Sequence, residues 1–334
     1  MPLILERIEV LDIYKKAARK NWVIPAFNTE NLTTTEAILA ATLEYSRKID
    51  QPDLPITIGL TNRYNHRSQS EHYTRTGLWD IGLKLFLADI KVLTGKGSPF
   101  ERLNVMIHLD HVQWDRDQAL LRWDMNRFSM IMYDASSLPF EENIGLTAKF
   151  VAQNQDKIVI EGACDEIVDA TGERRSDLTT PEQARKYLEQ TRVDYMVANL
   201  GTEHRASAST LRYHAETARQ ISKLTGKKLV LHGTSSVGND QLKNLFADGI
   251  AKVNIWTILE RNSAPVLFEN MVRNASKIVG HEKTAAMIQS GLLGNKVEKG
   301  GTPSLSHYTT TYRQDIVFNE IRKIVLSYLQ LWYV

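Results

Sequence analysis

VMIHLDH (105–111) is a short apolar run that stops on a carboxylate and an imidazole, Asp110 and His111. Two later runs end in the same way: MVANLGTEH (196–204) delivers His204, and KLVLHG (228–233) delivers His232. Side chains this far apart in sequence meet if the runs are parallel strands whose C-terminal ends open onto one face. That is the face on which parallel α/β folds carry their chemistry. Three histidines placed there can converge on one metal ion, so the chain reads as a metalloenzyme.

Working outward, apolar or β-branched runs of strand length alternate with longer amphipathic stretches, the pattern of repeated βα units. The candidate strands are VIPAF (23–27), ITIGL (56–60), VMIHLD (105–110), MIMYD (130–134), KIVIEG (157–162), YMVANL (195–200), KLVLHG (228–233) and AKVNI (251–255). Between them, TTTEAILAATLEYSRKI (33–49) opens on threonines suited to capping, and TTPEQARKYLEQT (179–191) places a proline at a first helical position. Eight such units without a linker predict a closed (β/α)8 TIM barrel, with a doubly wound open sheet as the runner-up. One barrel domain is expected across residues 1–334, with a helical C-terminal extension from about 260. The stretches 264–279 and 315–334 are expected to be helices, 291–308 and 94–99 loops. The terminal LQLWYV is expected to be buried against a partner or against the chain's own barrel.

Composition narrows the function. Hydrophobic residues make up 43% and charged residues 24%, with a net charge of +2, ordinary values that give no basic surface for nucleic acid. The one cysteine, Cys164, excludes an intrachain disulfide and any cysteine-based zinc cluster. Nothing approaches the roughly 18 apolar residues of a membrane span, and the charged N-terminus lacks a signal-peptide core. A cytoplasmic protein is expected, for which the sequons at Asn31 and Asn274 carry no weight.

In order, the predicted strands end on Asn28, Thr61, Asp110 with His111, Asp134, Glu161, Gly201 to His204, His232 with Gly233, and Asn254. For a single position, such as Asn28 or Asp134, this is where polarity ordinarily returns; for the set, it places carboxylates, amides and three imidazoles on one rim. Zinc takes nitrogen or oxygen ligands at about 2.1 Å, and a catalytic site keeps three protein ligands and an open fourth position. His111, His204 and His232 fit that donor set. Neighbours on a regular strand face opposite ways, so Asp110 and His111 reach one site only if the strand ends between them. Asp110 then either moves a proton or orients a histidine. His108 is either a packed core residue or a partner that orients a ligand. His66, His72, His214, His281 and His307 are expected at the surface or in packing. Lys252 is expected to face outward or toward a helix, which leaves no lysine for a Schiff base.

HLDH (108–111), YDASSLPFEENIGLT (133–147), GTEH (201–204), LHGTSS (231–236), GIAKVNIWT (249–257) and AFNTENL (26–32) stand in the order and context found in the class II, zinc-dependent fructose-bisphosphate aldolases and their tagatose-bisphosphate relatives. The chain resembles that family over roughly residues 10–260. The resemblance implies a dimeric or tetrameric (β/α)8 barrel with one catalytic Zn2+ on His111, His204 and His232, and Asp110 as the proton-transfer residue. It puts Thr61 near the substrate carbonyl, Asn254 against a dihydroxyacetone phosphate moiety and Ser235 in a phosphate loop. Asn28, Gly201, Gly233 and Thr257 complete the implied substrate contacts, and a monovalent cation (Na+ or K+) belongs to the family's phosphate site. Glu161 aligns with the first acidic residue of a two-acid segment whose second position is Ala163, so a fourth carboxylate ligand is not expected.

The departures fall in the phosphate pocket. GTEHR puts Arg205 where the family has glycine, HGTSS puts Thr234 and Ser236 where it has glycines, Ala208 replaces a lysine, and NIWT puts Trp256 in place of an acidic residue. Arg205 either contacts a phosphate or carboxylate or points to solvent; Trp256 either stacks on the substrate or packs. Metal and base kept beside a rewritten pocket imply a ketose or ketose phosphate substrate that need not be fructose 1,6-bisphosphate. The alternative is a non-catalytic or regulatory metal-binding barrel of the same descent; a zinc hydrolase would need a further water-activating carboxylate.

Overall fold

The computed structural model of the chain describes residues 3–65, 67–165, 178–202 and 213–334. Predicted ligand His204, together with Arg205, Ala208 and His66, lies outside the described residues. Eight parallel strands close into a barrel in sequence order: β1 (Ile24–Asn28), β2 (Pro55–Thr61), β3 (Asn104–Gln113), β4 (Met130–Asp134), β5 (Val159–Ala163), β6 (Tyr195–Val197), β7 (Leu229–Leu231) and β8 (Ile250–Ile255). β8 pairs back onto β1, so no edge remains open. This is the predicted (β/α)8 barrel. Its strands read as nearly unbroken apolar runs because they are covered on both sides; every residue of β2 is buried.

The helices between strands form the outer layer. The helix Leu32–Lys48 is capped by Asn31, whose side chain accepts the Thr34 N–H at 3.2 Å, rather than by the threonines that follow it. Thr180 caps Pro181–Thr191 in a reciprocal box with Gln183, with proline at the start as expected. Beyond β8 the chain is helical over Thr257–Arg273 and Ala275–Val279, earlier and more broken than read from sequence. The final helix, Thr310–Trp332, buries Ile321, Val325, Leu329 and Trp332 along one face. Burial of each is worth about 1.5–3 kcal/mol. The terminal aromatics close on the chain's own barrel: the Tyr333 hydroxyl donates to the Pro55 carbonyl at 2.5 Å, and the Trp332 indole donates to that of Leu242 at 2.8 Å.

Two features of the barrel position the site. The first is a bulge in β3. The strand does not end between Asp110 and His111, as expected; it continues to Gln113 with a register shift between Leu109 and Val112. His111 takes φ +48°, a left-handed conformation that costs a non-glycine residue on the order of 1–2 kcal/mol. One extra residue cancels the alternation of the strand and lets both side chains face the same rim.

The second is a layer of charge inside the barrel. Lys252 does not face outward. It is fully buried, with its Nζ 2.6 Å from Glu161 Oε1 and 3.2 Å from His108 Nδ1, and His108 Nε2 lies 3.5 Å from Glu161 Oε2. Lys252 lies two residues before Asn254 on β8, and His108 two before Asp110 on β3, so each shares the inward face of the residue above it. The lysine tolerates this position because Glu161 meets it there.

Candidate active site

Above that layer, Asp110 is 4% exposed, and each of its carboxylate oxygens accepts an amide N–H. Asn28 Nδ2 of β1 donates to Oδ2 at 2.7 Å, and Asn254 Nδ2 of β8 to Oδ1 at 2.9 Å. Two neutral donors fix the carboxylate plane while leaving each oxygen a second lone pair. Gly59 makes room for this grip: a Cβ there would sit 2.6 Å from Asn28 Oδ1 and 3.2 Å from the His108 carbonyl oxygen. Burial alone would raise the Asp110 pKa, but the charges of His111, His108 and Lys252 and the Asn28 hydrogen bond hold it below the ordinary range.

His111 is oriented from behind. Its Nδ1 lies 2.8 Å from Asp134 Oδ2, which also accepts from Gln113 Nε2 at 3.0 Å, while Asp134 Oδ1 accepts from the Ser136 hydroxyl at 2.6 Å. Burial pushes the Asp134 carboxyl up, but the hydrogen bond and charge of His111 and the two donors of Ser136 bring it down to about 2. An ionised Asp134 accepting the Nδ1 proton turns Nε2 toward the cleft as a donor atom. Tyr64 stacks on the ring at 4.3 Å between centroids. His232, at the end of β7, meets it edge-on at 4.9 Å.

One ligand atom from each of Asp110, His111 and His232 lies within 4.8 Å of the other two, and all three residues are buried. The two imidazoles, one of them held by the Asp134 carboxylate, are nitrogen donors suited to a divalent transition-metal ion, and the Asp110 carboxylate stands beside them within reach of whatever the ion binds. The residues present therefore fit a metal ion.

These side chains line a solvent-open cleft of about 620 Å³. Of the positions predicted from sequence, Asn28, Thr61, Gly233, Ser235, Asn254, Trp256 and Thr257 line the same cleft. Thr61 donates its hydroxyl to the Arg67 carbonyl and its N–H to Gln69 Oε1 at 2.8 Å. Gly233, at φ +66°, opens the turn Thr234–Ser236. Gly201 turns the chain after β6 at φ +82° and does not line the cleft. Glu161 is held in the layer below, and its pairing with Lys252 and His108 overcomes burial and brings its carboxyl down to about 2. His72, His214, His281 and His307 lie on or at the ends of helices and do not line the cleft.

The wall contributed by the loop after β2 escaped the sequence reading. Tyr64, Arg67 and Gln69 all line the cleft, and Arg67 is braced by Glu30 from the loop after β1. The usable signal was position alone, since loops that follow barrel strands form the mouth of the site.

The family model described as fructose-bisphosphate aldolase class-II matches residues 8–291. A probable fructose-bisphosphate aldolase of Bacillus subtilis is 26% identical over 278 residues, covering 81% of this chain and 87% of that protein. A sulfofructosephosphate aldolase of Alkalicoccus urumqiensis is 28% identical, covering 73% and 78%. Among solved structures, the fructose-bisphosphate aldolase of Campylobacter jejuni superposes with a TM-score of 0.73 at 18% identity, covering 99% of this chain and 95% of that one. The YdjI aldolase of Escherichia coli K12 gives 0.66 at 20% identity, covering 96% and 94%. With a family match across most of its length, and a closed barrel that brings Asp110, His111 and His232 together, this chain belongs to the class II fructose-bisphosphate aldolase family.

Proposed function

We propose that this chain is a zinc-dependent aldolase that makes or breaks a carbon–carbon bond in a ketose phosphate, with Asp110 as the proton-transfer residue. The observation that carries the reading is the meeting of Asp110, His111 and His232 within 4.8 Å at the mouth of the barrel. His111 and His232 would hold the ion, with His204 as the third imidazole. When bound, zinc supplies Lewis acidity toward a ketose carbonyl and its adjacent hydroxyl.

The chain's own residues divide the remaining work. Asn28 and Asn254 keep the Asp110 carboxylate in one plane, and its free lone pairs can take or return the proton of the hydroxyl on the carbon being joined. Asp134 keeps the His111 ring in one tautomer and one orientation. Thr61, Asn254, the turn from Gly233 to Ser235, and Trp256 with Thr257 surround the substrate, and Arg205 adds a cation. The two relatives above are named for a fructose bisphosphate and a sulfofructose phosphate, so the phosphorylated ketose is common to both names and the second acidic group is not. We carry over a homodimer or homotetramer of barrels with C-terminal helical extensions.

The test is retro-aldol turnover on fructose 1-phosphate, fructose 1,6-bisphosphate and free fructose, with Asp110→Ala beside the wild type. The reading requires turnover of a phosphorylated ketose, abolished in the variant with zinc still bound. Wild-type protein that binds zinc and turns over none of these would instead favour a non-catalytic barrel.

A further inference from the structure

Among the described residues that line the cleft, Arg67 is the one lysine or arginine. It is held on two sides. Its Nε donates to Glu30 Oε2 at 2.9 Å and its Nη2 donates to the same oxygen, while its carbonyl accepts the Thr61 hydroxyl. Glu30 is 8% exposed, and its other oxygen accepts Gln69 Nε2 at 3.1 Å. Gln69 in turn accepts the Thr61 N–H, so the loop, the strand end and the guanidinium form one connected unit.

A guanidinium has five N–H donors in a rigid plane, and Glu30 engages one edge of it. The end-on fork of Nη1 and Nη2 remains, with the side chain 37% exposed at the cleft wall. A planar fork of parallel N–H groups is the geometry that binds carboxylate, phosphate or sulfonate oxygens in pairs. Glu260, the other acid in the field of this pair, is pushed up to about 7 by burial and by the Glu30 charge, so near neutral pH much of it is uncharged.

The loop after β2 stands three strands around the ring from the turn Thr234–Ser236 after β7. A substrate that spans the cleft with one end at that turn would bring its other end to Arg67.

We propose that Arg67, positioned by Glu30, is the specificity-determining residue that binds an oxyanion group on the end of the substrate away from the turn after β7. The proposal rests on the aldolase reading for the substrate's identity, but its test does not require turnover. Binding of fructose 1-phosphate and fructose 1,6-bisphosphate is measured by titration calorimetry on zinc-loaded protein with position 67 wild type, Arg67→Met and Arg67→Lys, each carrying Asp110→Ala so that neither ligand is cleaved during the titration. The wild type binds the bisphosphate at least tenfold more tightly than the monophosphate. Arg67→Met brings that ratio to within twofold of one while leaving fructose 1-phosphate affinity within threefold of wild type. Arg67→Lys, which keeps the charge but loses the fork, lies between them and serves alone if the methionine variant does not fold. A wild type without the preference, a ratio unchanged by substitution, or an equal loss for both ligands would overturn the proposal. A wild type that shows this binding preference but cleaves neither ligand would overturn the aldolase reading instead.

Discussion

Lys252→Met removes one partner of a buried ion pair and leaves the other in place. Lys252 and Glu161 are both fully buried, 2.6 Å apart, and His108 Nε2 lies 3.5 Å from the second Glu161 oxygen. Removing one member of such a pair costs about 3–5 kcal/mol, because the survivor stays desolvated without its counter-ion. The same pairing holds the Glu161 carboxyl down at about 2 rather than 4.5, which corresponds to a stabilisation on the order of 3 kcal/mol at neutral pH. Since the folded value is the lower one, that contribution is complete above pH 4.5 and is lost as pH falls toward 2. Urea unfolding at pH 7.5 should therefore show Lys252→Met destabilised by roughly 3–5 kcal/mol, with the gap to wild type narrowing between pH 4.5 and 3. The double variant Lys252→Met, Glu161→Leu, which leaves neither ion behind, should recover more than half of the loss. A single variant within about 1 kcal/mol of wild type at pH 7.5 would refute the view that this pair is mutually dependent, as would a double variant no better than the single.

Asp134→Asn removes the anion that holds His111 Nδ1 and should weaken zinc binding by about 10–100-fold in competition with a chromophoric chelator, with little change in fold. Gly59→Ala puts a methyl group against Asn28 and the His108 backbone. It should cost about 1–3 kcal/mol in urea and lower kcat more than it raises KM, since Asn28 must release Asp110. Glu260 carries a folded-state value of about 7 against an ordinary 4.5, so its ionisation penalises the fold increasingly as pH rises between those values. Glu260→Gln should therefore be more stable than wild type at pH 8, by at most about 3 kcal/mol, and equal to it near pH 4.5.

The barrel was legible because parallel strands buried on both faces leave continuous apolar runs, and all eight runs are strands. Their ends were less so. β6 and β7 stop at Val197 and Leu231, short of the runs read as 195–200 and 228–233, because the polar tails already belong to the loops that turn at Gly201 and Gly233. The rim residues Asn28, Asp110, His111, His232 and Asn254 were readable from strand-end position. How Asp110 and His111 share a face was not, since a left-handed histidine inside a bulge leaves no trace in composition. Lys252 was misplaced because a lysine reads as exposed until its partner is known, although its spacing from Asn254 already put it on the inward face. Arg67 went unnoticed because it lies in a loop whose path no periodicity describes, and its role depends on Glu30, thirty-seven residues earlier.

The most direct test of the account is metal content measured together with retro-aldol rate on one preparation. Native protein should carry close to one zinc per chain, lose both zinc and turnover to a chelator and regain both on zinc addition. Asp110→Ala should keep the zinc and lose the turnover. A native preparation free of metal and indifferent to added zinc, or an Asp110→Ala variant that still cleaves a ketose phosphate at the wild-type rate, would contradict it.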